Sequence, residues 1–528
     1  MEREQVYIFD TTLRDGQQCP GAGMEYKRNI EYAKLAAKLG VDVLEAGFPS
    51  ASKMDFKIVQ AIARELSPDE DSPVIAGLCQ LRSEQIDVTI EALEPAVSFG
   101  KARLHTYLPV DPQLMPASLG PLASDKQKLV EQVAEFVARA VKAGLQVQFS
   151  PEGYSRVAEN FDFTTDLIRA AVASGATVIN CPDTIGGACK TQGEEYFVRL
   201  MNTHAEIIRS EFPDKEITWS VHCHNDFGLA VANSMNAVFE GPARQIEGCI
   251  NGIGERAGNA SLEQCIMLIK HFGELSDGRK FFTRAKTPYI QEASNFVANY
   301  MLPRQPHWPI CGENAARHSS GGHTNAILKF LHAYQPFNPE ETGNKVSLLF
   351  GPMSGGNHAK SIIESAGFVC TDEEKSEISQ FIKTKYAERR KGITDAELLK
   401  AYFEYRRPIH VTSFDYSRSS NQSAVHLEGK FYSDEGSITE KHEGRDSALA
   451  ALKTAINKHH PGLEIVSHQS HSEGESISAQ SVSKIVLSDE EGAEYIGIGK
   501  DRDIEISAMK ALIDAANSAY IEAHYRRV

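Results

Sequence analysis

The amino-acid sequence predicts an α/β protein that begins with a parallel (β/α)8 barrel and continues with a helical linker subdomain and a duplicated α+β domain. Eight short β-rich runs alternate with amphipathic helices over roughly 250 residues, which matches this barrel in count and length. The runs are apolar throughout, as strands buried on both faces must be. Polar side chains follow nearly every run. A barrel gathers such strand ends at one mouth, so we favour it over a doubly wound open sheet.

The individual elements follow from hydrophobic periodicity. Apolar residues recur every three or four positions in residues 25–40 and 129–144, which indicates amphipathic helices. Gly40 and Gly144 end these stretches, at the position where glycine commonly terminates a helix. The runs between such helices are predicted to be strands, at residues 6–9, 41–47, 74–78, 102–107, 145–150, 176–180, 217–224 and 244–248.

The pattern changes twice beyond the barrel, which we assign to residues 1–285. Residues 286–410 are mainly helical with glycine-rich interruptions, and they predict a linker subdomain. Residues 411–528 return to strands closed by single helices. Within them, residues 445–458 and 503–518 align with a constant offset of 60, which predicts a duplicated regulatory domain. The alternative is that two alanine-rich helices align by chance.

Composition narrows the class of protein. The chain has 528 residues, of which 41% are hydrophobic, and this is a globular composition with a sizeable core. Acidic residues outnumber basic ones by 71 to 55, and a formal charge of -16 repels nucleic-acid backbones. No signal peptide, no run of about 18 apolar residues and no C-x-x-C pair is visible. The sequence predicts a cytoplasmic protein that binds neither nucleic acid nor a membrane.

The HCH motif at residues 222–224 is the first candidate for chemistry. Residues two apart on a strand point to the same face, so His222 and His224 would both face the barrel interior. Asp15 follows the first strand and offers an oxygen ligand, while the adjacent Arg14 offers a cationic fork for an oxyanion or a carboxylate. The alternatives are ordinary core or surface histidines and a plain surface Arg-Asp pair.

A glycine-rich loop follows the eighth strand and holds Glu255 and Asn259. Its glycine spacing matches neither a Rossmann nor a P-loop fingerprint, and a βα turn rich in capping residues is the alternative. Two imidazoles, one carboxylate and one amide oxygen suit Mg²⁺, Mn²⁺ or Zn²⁺. With open positions, such a site would hold a 2-oxo acid through its keto and carboxylate oxygens and polarise the ketone.

Three motifs make the chain similar to a known family. DTTLRDGQQ (residues 10–18), HCHNDFGLAVAN (222–233) and NGIGERAGNASLE (251–263) resemble the signatures of the 2-isopropylmalate, homocitrate and citramalate synthases. The resemblance implies a metal-dependent barrel enzyme, an acyltransferase that condenses acetyl-CoA with a 2-oxo acid. It covers essentially the whole chain, whose organisation is similar to that of the long, leucine-regulated members.

The resemblance also implies residue roles. The divalent metal, with Mn²⁺ first and Mg²⁺ or Zn²⁺ as alternatives, would be held by Asp15, His222, His224 and Asn259. Arg14 would stabilise the developing alkoxide or enolate, and Glu255 would orient the site. The positions that match the family's oxo-acid pocket are His105, Ser150, Glu152, Asn180 and Thr184.

The linker carries the remaining family positions. Residues 318–329 resemble the segment that brings a histidine over the active site of the partner subunit, so His323 is the candidate base or proton shuttle and His318 is its rival. Tyr334 matches the tyrosine that accompanies this histidine. Where the family linker commonly reads HSGR, this chain has GPMSGGNHAK at residues 351–360. The resemblance implies a homodimer, acetyl-CoA as co-substrate and leucine as an allosteric ligand.

Several reactions share these motifs. The leading hypothesis is condensation of acetyl-CoA with 2-oxoisovalerate in leucine synthesis, and the same-class alternatives are citramalate synthesis from pyruvate and homocitrate synthesis. One methylene of difference is worth only about 1–3 kcal/mol in a pocket. A hydroxymethylglutaryl-CoA-type lyase and a non-catalytic amino-acid sensor are alternatives of other classes. The terminal repeat argues against the lyase, and the intact site motifs argue against the sensor.

Overall fold

The computed structural model describes residues 3–389, 392–432, 434–443, 447–474 and 479–526, and the chain divides into two units. The first unit runs to Ala316 and also contains Phe337–Val346. The second unit contains Arg317–Pro336 and the chain from Ser347 onwards. The domain boundaries at residues 285 and 410 stay predictions.

The strands of the first unit all pair in parallel. They are β1 (Arg3–Gln5), β2 (Tyr7–Asp10), β3 (Val43–Gly47), β4 (Val74–Gln80), β5 (Ala102–Pro109), β6 (Gln146–Glu152), β7 (Val178–Asp183), β8 (Thr218–Cys223), β9 (Ala243–Gly248) and β10 (Lys280–Phe282). Strands β2 to β9 form a closed barrel in chain order, and β1 pairs with β10. The barrel closes where Tyr7 lies opposite Gln245 and Asp10 opposite Gly248. The predicted (β/α)8 barrel is therefore confirmed.

Helices surround these strands and bury one apolar face each. They are α1 (Tyr26–Leu39), α2 (Lys53–Leu66), α3 (Ser83–Val97), α4 (Leu114–Leu119), α5 (Lys126–Lys142), α6 (Phe161–Ala173), α7 (Phe197–Glu211), α8 (Ala230–Phe239), α9 (Leu262–Phe272) and α10 (Ile290–Tyr300). Helix α5 buries Leu129, Val133 and Val137, at the spacing that the sequence pattern predicts. Helix α1 ends at Gly40, which has a φ angle of 82°.

The second unit begins with short strands and a helical segment. Its first elements are β11 (Arg317–His318), α11 (Gly321–Ile327), β12 (Ser347–Leu348), α12 (Gly356–Ser365), α13 (Lys375–Lys385) and α14 (Asp395–Arg406). Helices α12, α13 and α14 share a core that includes Ile363, Ile378 and Leu398. A capping box starts α14, where Thr394 and Glu397 each accept a hydrogen bond from the other's backbone N–H. The predicted helical linker is present.

The rest of the second unit repeats one arrangement twice, a three-stranded antiparallel sheet followed by a helix. The first copy is β13 (Ile409–Arg418), β14 (Gln422–Phe431), β15 (Asp434–Glu443) and α15 (Ala448–His459); the second is β16 (Glu464–Glu473), β17 (Gln480–Ser488), β18 (Glu494–Asp501) and α16 (Ile504–Tyr525). Repeat positions such as Leu452 and Leu512 are buried in one core, and the predicted duplication is confirmed. Among the described residues, no helix has the length and apolar character needed to cross a bilayer.

Candidate functional site

A cavity of about 210 Å³ lies at the carboxyl ends of the barrel strands. Its lining contains most of the barrel residues predicted from the sequence, namely Arg14, Asp15, His105, Ser150, Glu152, Asn180, Thr184, His222, His224 and Glu255. The rest of the lining is Gln18, Leu78, Tyr107, Pro182 and Arg256. Side chains that are remote in sequence meet here because parallel barrel strands all end at the same mouth.

Asp15, His222 and His224 form a group that can hold a metal ion. Each offers one ligand atom, and these atoms lie within 4.8 Å of one another. All three residues are buried. Nε2 of His222 lies 3.9 Å from Oδ2 of Asp15, and the centroids of the two imidazole rings are 5.1 Å apart. The 3.9 Å separation is too long for a direct hydrogen bond, and the ligand atoms are close enough together for one cation to contact all three groups.

Asn259 and His224 each have a buried polar atom without a hydrogen-bond partner in the described part of the chain. These atoms are Oδ1 of Asn259 and Nδ1 of His224. The amide nitrogen of Asn259 donates to Oδ1 of Asp15 at 2.6 Å, so the amide lies against the ligand carboxylate. A buried polar atom without a partner is costly, and both atoms are suited to coordinate a cation. Nitrogen and oxygen donors of this kind fit Mg²⁺, Mn²⁺ or Zn²⁺.

The loop after β9 forms the wall beside Asp15, and two glycines make its path possible. A Cβ atom on Gly254 would lie 2.1 Å from Nδ2 of Asn259 and 2.7 Å from Oδ1 of Asp15. A Cβ atom on Gly258 would lie 2.0 Å from a carbonyl oxygen of the same loop. Both glycines also have positive φ angles, of 154° and 89°, which other residues adopt only with strain. The backbone N–H of Glu255 donates to Oδ1 of Asp15 at 3.3 Å, while its side chain is exposed.

Arg14 is held between two carboxylates. Its Nη1 atom lies 2.6 Å from Oδ2 of Asp15, and its Nε atom lies 2.6 Å from Oε2 of Glu45. Glu45, on β3, is fully buried, and its other oxygen contacts Nδ1 of His105 at 2.6 Å. Burial raises the pKa of Glu45, but the charges of Arg14 and His105 outweigh burial and bring this pKa down to about 2. Glu45 is therefore ionised, and it orients Arg14 and His105 at the cavity.

Hydrogen bonds connect His105 on β5 with Ser150 on β6 and, through it, with Asn180 on β7. The Nε2 atom of His105 lies 2.8 Å from Oγ of Ser150, and the same hydroxyl accepts a hydrogen bond from Nδ2 of Asn180 at 2.9 Å. The hydroxyl of Thr184 accepts from the backbone N–H of Gly153 at 2.9 Å. The structure thus brings His105, Ser150 and Asn180 into one row of hydrogen bonds at the mouth of the barrel.

Burial shifts the protonation of several groups in the site. Burial and the neighbouring imidazole lower the pKa of His224 to about 4, so this ring is neutral at pH 7, as a metal ligand must be. Burial also lowers the pKa of His222, but its hydrogen bond to Glu247 and the charge of Asp15 outweigh burial and raise this pKa. Burial raises the pKa of Glu152 to about 6, which allows this carboxyl to exchange a proton near neutral pH.

Glu45 and Glu247 lie outside the predicted site set, although both contact members of it. Each is a charged residue inside an otherwise buried strand, in the runs VLEAG and RQIEG. Because a fully buried carboxylate needs donors or cations around it, a glutamate within a predicted barrel strand is the sequence signal that identifies both residues. Leu78 and Tyr107 have no such signal, because they resemble any other apolar or aromatic strand residue.

His323 and Tyr334 belong to the second unit, where their rings stack. The ring centroids are 3.9 Å apart with an interplanar angle of 17°, and both side chains are exposed. His318 instead forms a 3.0 Å hydrogen bond from its Nε2 atom to Oε1 of Gln335. The stacking favours His323 over His318 as the partner of Tyr334, and its catalytic role stays a prediction.

Comparison with known proteins matches three consecutive parts of the chain to family models. Residues 5–297 match the model described as HMGL-like, residues 310–391 match the homocitrate synthase post-HMGL domain-like model, and residues 395–520 match the LeuA allosteric (dimerisation) domain. The first match covers the barrel and its site. Together these matches place the chain in the class of HMGL-like barrel proteins that carry two further segments.

Curated relatives match the chain over almost its whole length. The 2-isopropylmalate synthase of Aquifex aeolicus is 35% identical, over 99% of this chain and 97% of its own. The 2-isopropylmalate synthase of Carboxydothermus hydrogenoformans is 35% identical, over 97% of both chains. The chain belongs to the 2-isopropylmalate synthase family. The resemblance and the enzyme class predicted from the sequence motifs are confirmed.

A substitution at His222 tests the metal group. His222→Ala removes one candidate ligand, and we expect the affinity of the metal-free protein for Mn²⁺ to fall by at least about 100-fold, since even loss of a group behind a ligand costs roughly 10–100-fold. Titration calorimetry measures this affinity. His204→Ala is the matched control, because His204 is also buried and its ring nitrogens contact Tyr154 and Thr165, which are not members of the metal group. Equal Mn²⁺ affinities in both variants would contradict the assignment.

Proposed function

We propose that this enzyme condenses acetyl-CoA with 2-oxoisovalerate to give 2-isopropylmalate and free CoA, the first committed step of leucine biosynthesis. The observation that carries the proposal is the cavity lining, in which Arg14 and the candidate metal group lie beside Leu78, Tyr107 and Pro182. A branched 2-oxo acid needs cations for its keto and carboxylate oxygens and an apolar wall for its alkyl group. The names of the relatives support the same substrates.

Some residues of the site hold the cation or stabilise negative charge, and others orient their neighbours or bind the substrate. A divalent cation, with Mn²⁺ proposed first and Mg²⁺ or Zn²⁺ as alternatives, would act as a Lewis acid on the keto oxygen, held by Asp15, His222, His224 and Asn259. Arg14, oriented by Glu45, stabilises the negative charge that develops on oxygen. Glu255 orients the loop beside Asp15. The oxo acid is bound by His105, Ser150, Glu152, Asn180 and Thr184.

We assign proton transfer to two residues of the linker, His323 and Tyr334. His323, accompanied by Tyr334, removes a proton from the acetyl methyl group. The methyl carbon then bonds to the keto carbon, and the keto oxygen gains a proton. Water attacks the thioester carbonyl carbon, the carbon–sulfur bond breaks, and CoA leaves as the free thiol. Glu152, whose pKa of about 6 lies near neutral pH, holds or releases a proton within the cavity.

The proposed assembly is a cytoplasmic homodimer. Residues 1–285 catalyse the reaction, residues 286–410 carry His323 to the barrel of the partner subunit, and residues 411–528 bind leucine as a feedback inhibitor. The match of residues 395–520 to an allosteric and dimerisation domain supports both the dimer and the regulation.

The substrate is tested by supplying purified enzyme with Mn²⁺, acetyl-CoA and one of three oxo acids. We expect 2-oxoisovalerate to have the highest kcat/KM, about 10-fold or more above pyruvate, because each extra methylene in an apolar pocket contributes about 1–3 kcal/mol. Release of free thiol, followed with a thiol-reactive chromophore, measures the rate. 2-Oxoglutarate should react slowest, since its second carboxylate would face Leu78 and Pro182. Pyruvate as the best substrate would favour citramalate synthesis instead.

Mixed dimers test whether His323 serves the partner subunit. His222→Ala and His323→Ala should each be inactive alone. A co-expressed equal mixture should recover about a quarter of the wild-type activity, because half of the dimers are hybrids and each hybrid has one intact site. Thiol release measures the recovery. No recovery would mean that His323 acts on its own barrel or that it is not catalytic.

Leucine binding is tested by thermal unfolding of the full chain. L-Leucine should raise the Tm, because a ligand at about 100 times its Kd adds about 2.7 kcal/mol of stability. The shift should persist in His222→Ala, since the proposed leucine site lies in the terminal domain rather than at the metal group. D-Leucine serves as the stereochemical control. A leucine shift that disappears in His222→Ala would assign leucine to the barrel instead.

A further inference from the structure

We propose that Glu247 is a positioning residue that fixes the tautomer of His222, so that Nε2 of this imidazole is free to bind the metal. The inference rests on the proposed metal-dependent function and adds a residue that no motif assigns. Glu247 lies on β9 and is fully buried. Its Oε2 atom lies 3.2 Å from Nδ1 of His222. On the other side of the ring, Nε2 lies 3.9 Å from Oδ2 of Asp15.

The second carboxylate oxygen of Glu247 is occupied by donors. Oε1 accepts from three side chains, at 2.7 Å from Nε2 of Gln148, 2.9 Å from Oγ of Ser220 and 3.3 Å from Nε2 of Gln245. These donors leave no room for a carboxyl proton on Oε1. Oε2 is the oxygen that faces His222, and a carboxylate oxygen accepts hydrogen bonds, so this pairing places a ring proton on Nδ1 of His222.

Arg103 determines which atom of the Gln245 amide faces Glu247. A guanidinium has donors and no acceptor. Nη1 of Arg103 donates to Oε1 of Gln245 at 2.9 Å, while Nε and Nη2 donate to Oε1 of Gln146 at 3.1 and 2.9 Å. Because the oxygen of Gln245 faces the guanidinium, its amide nitrogen faces Glu247. The carboxylate therefore receives donors from the barrel interior on one side and from His222 on the other.

His224 lacks this constraint. Its Nδ1 atom is buried and has no hydrogen-bond partner among the described residues. The two imidazoles of the metal group thus differ in their surroundings, and the effect of Glu247 is confined to His222. Carboxylates behind metal-binding histidines fix the ring orientation and the tautomer in the same way in other metal sites.

Glu247→Gln keeps the size of the side chain, but the new amide has one donor nitrogen in place of a carboxylate oxygen that accepts. The consequence depends on which way this nitrogen points. If the amide nitrogen faces His222, Nδ1 must accept, and the ring proton moves to Nε2, where it blocks the metal. If the amide nitrogen faces the other way, the donors of Gln148, Ser220 and Gln245 meet another donor. Three donors already face the Oε1 position, so the first orientation is favoured, and it lowers the metal affinity.

The test measures Mn²⁺ and Co²⁺ binding to metal-free, full-length protein by titration calorimetry, together with the visible absorption of the Co²⁺ form. Glu247→Gln should weaken Mn²⁺ binding by about 10–100-fold and change the Co²⁺ bands, which report ligand geometry. Glu263→Gln is the matched control. Glu263 is equally buried, but it accepts from Nε1 of Trp308 at 2.8 Å and from the N–H of Asn251 at 3.0 Å, and its variant should bind metal as the wild type does.

The outcomes separate this inference from the function on which it rests. Wild-type affinity and spectrum in Glu247→Gln, or an equal loss in Glu263→Gln, would overturn the role of Glu247. A wild-type protein that binds no metal would overturn the proposed function itself. If circular dichroism shows that Glu247→Gln is unfolded, Glu247→Asp replaces it, since the shorter acid keeps the charge and withdraws its oxygen from Nδ1. Unchanged Mn²⁺ binding in that variant would equally reject the proposal.

Discussion

The parallel pairing of β2 with β9 is the constraint on which the whole site depends. This pairing closes the barrel and brings the loop after β2, which carries Arg14 and Asp15, against the loop after β9, which carries Asn259. The 2.6 Å hydrogen bond from Asn259 to Asp15 joins residues 244 positions apart in sequence. In an open sheet of the same strand order, β2 and β9 would lie at opposite edges, and the ligand group would not form.

Closure also buries several charged side chains together, and the contacts that compensate these charges determine the chemistry of the site. An isolated buried ion costs several kcal/mol, so Asp15 and Glu45 require a cation beside them. Arg14 serves both carboxylates, which leaves an excess of negative charge. Burial raises the pKa of Asp15, but Arg14 and the two imidazoles outweigh it and lower this pKa. An ionised carboxylate beside a neutral imidazole is the arrangement that a divalent cation requires.

The second unit is organised differently from the barrel, because one sequence pattern occurs in it twice. Helices α15 and α16 bury the same repeat positions, including Ala448 with Ala508 and Ala455 with Ala515. Small alanine side chains at these positions let each helix pack closely against the sheet that precedes it. The duplication therefore appears in the sequence as a repeat of buried positions, and in the structure as two equivalent sheet-and-helix layers around a shared core.

The sequence by itself determined the order and type of the elements, because strands and helices follow from local periodicity. It also determined the candidate ligands, since an HCH run on a strand points both imidazoles to one face. Only the tertiary structure decided which groups meet across the barrel. The contacts of Glu45 with Arg14 and His105, the contact of Glu247 with His222, and the place of Leu78 and Tyr107 in the cavity all join different strands. Such contacts depend on strand register and barrel closure, which no local pattern of residues encodes.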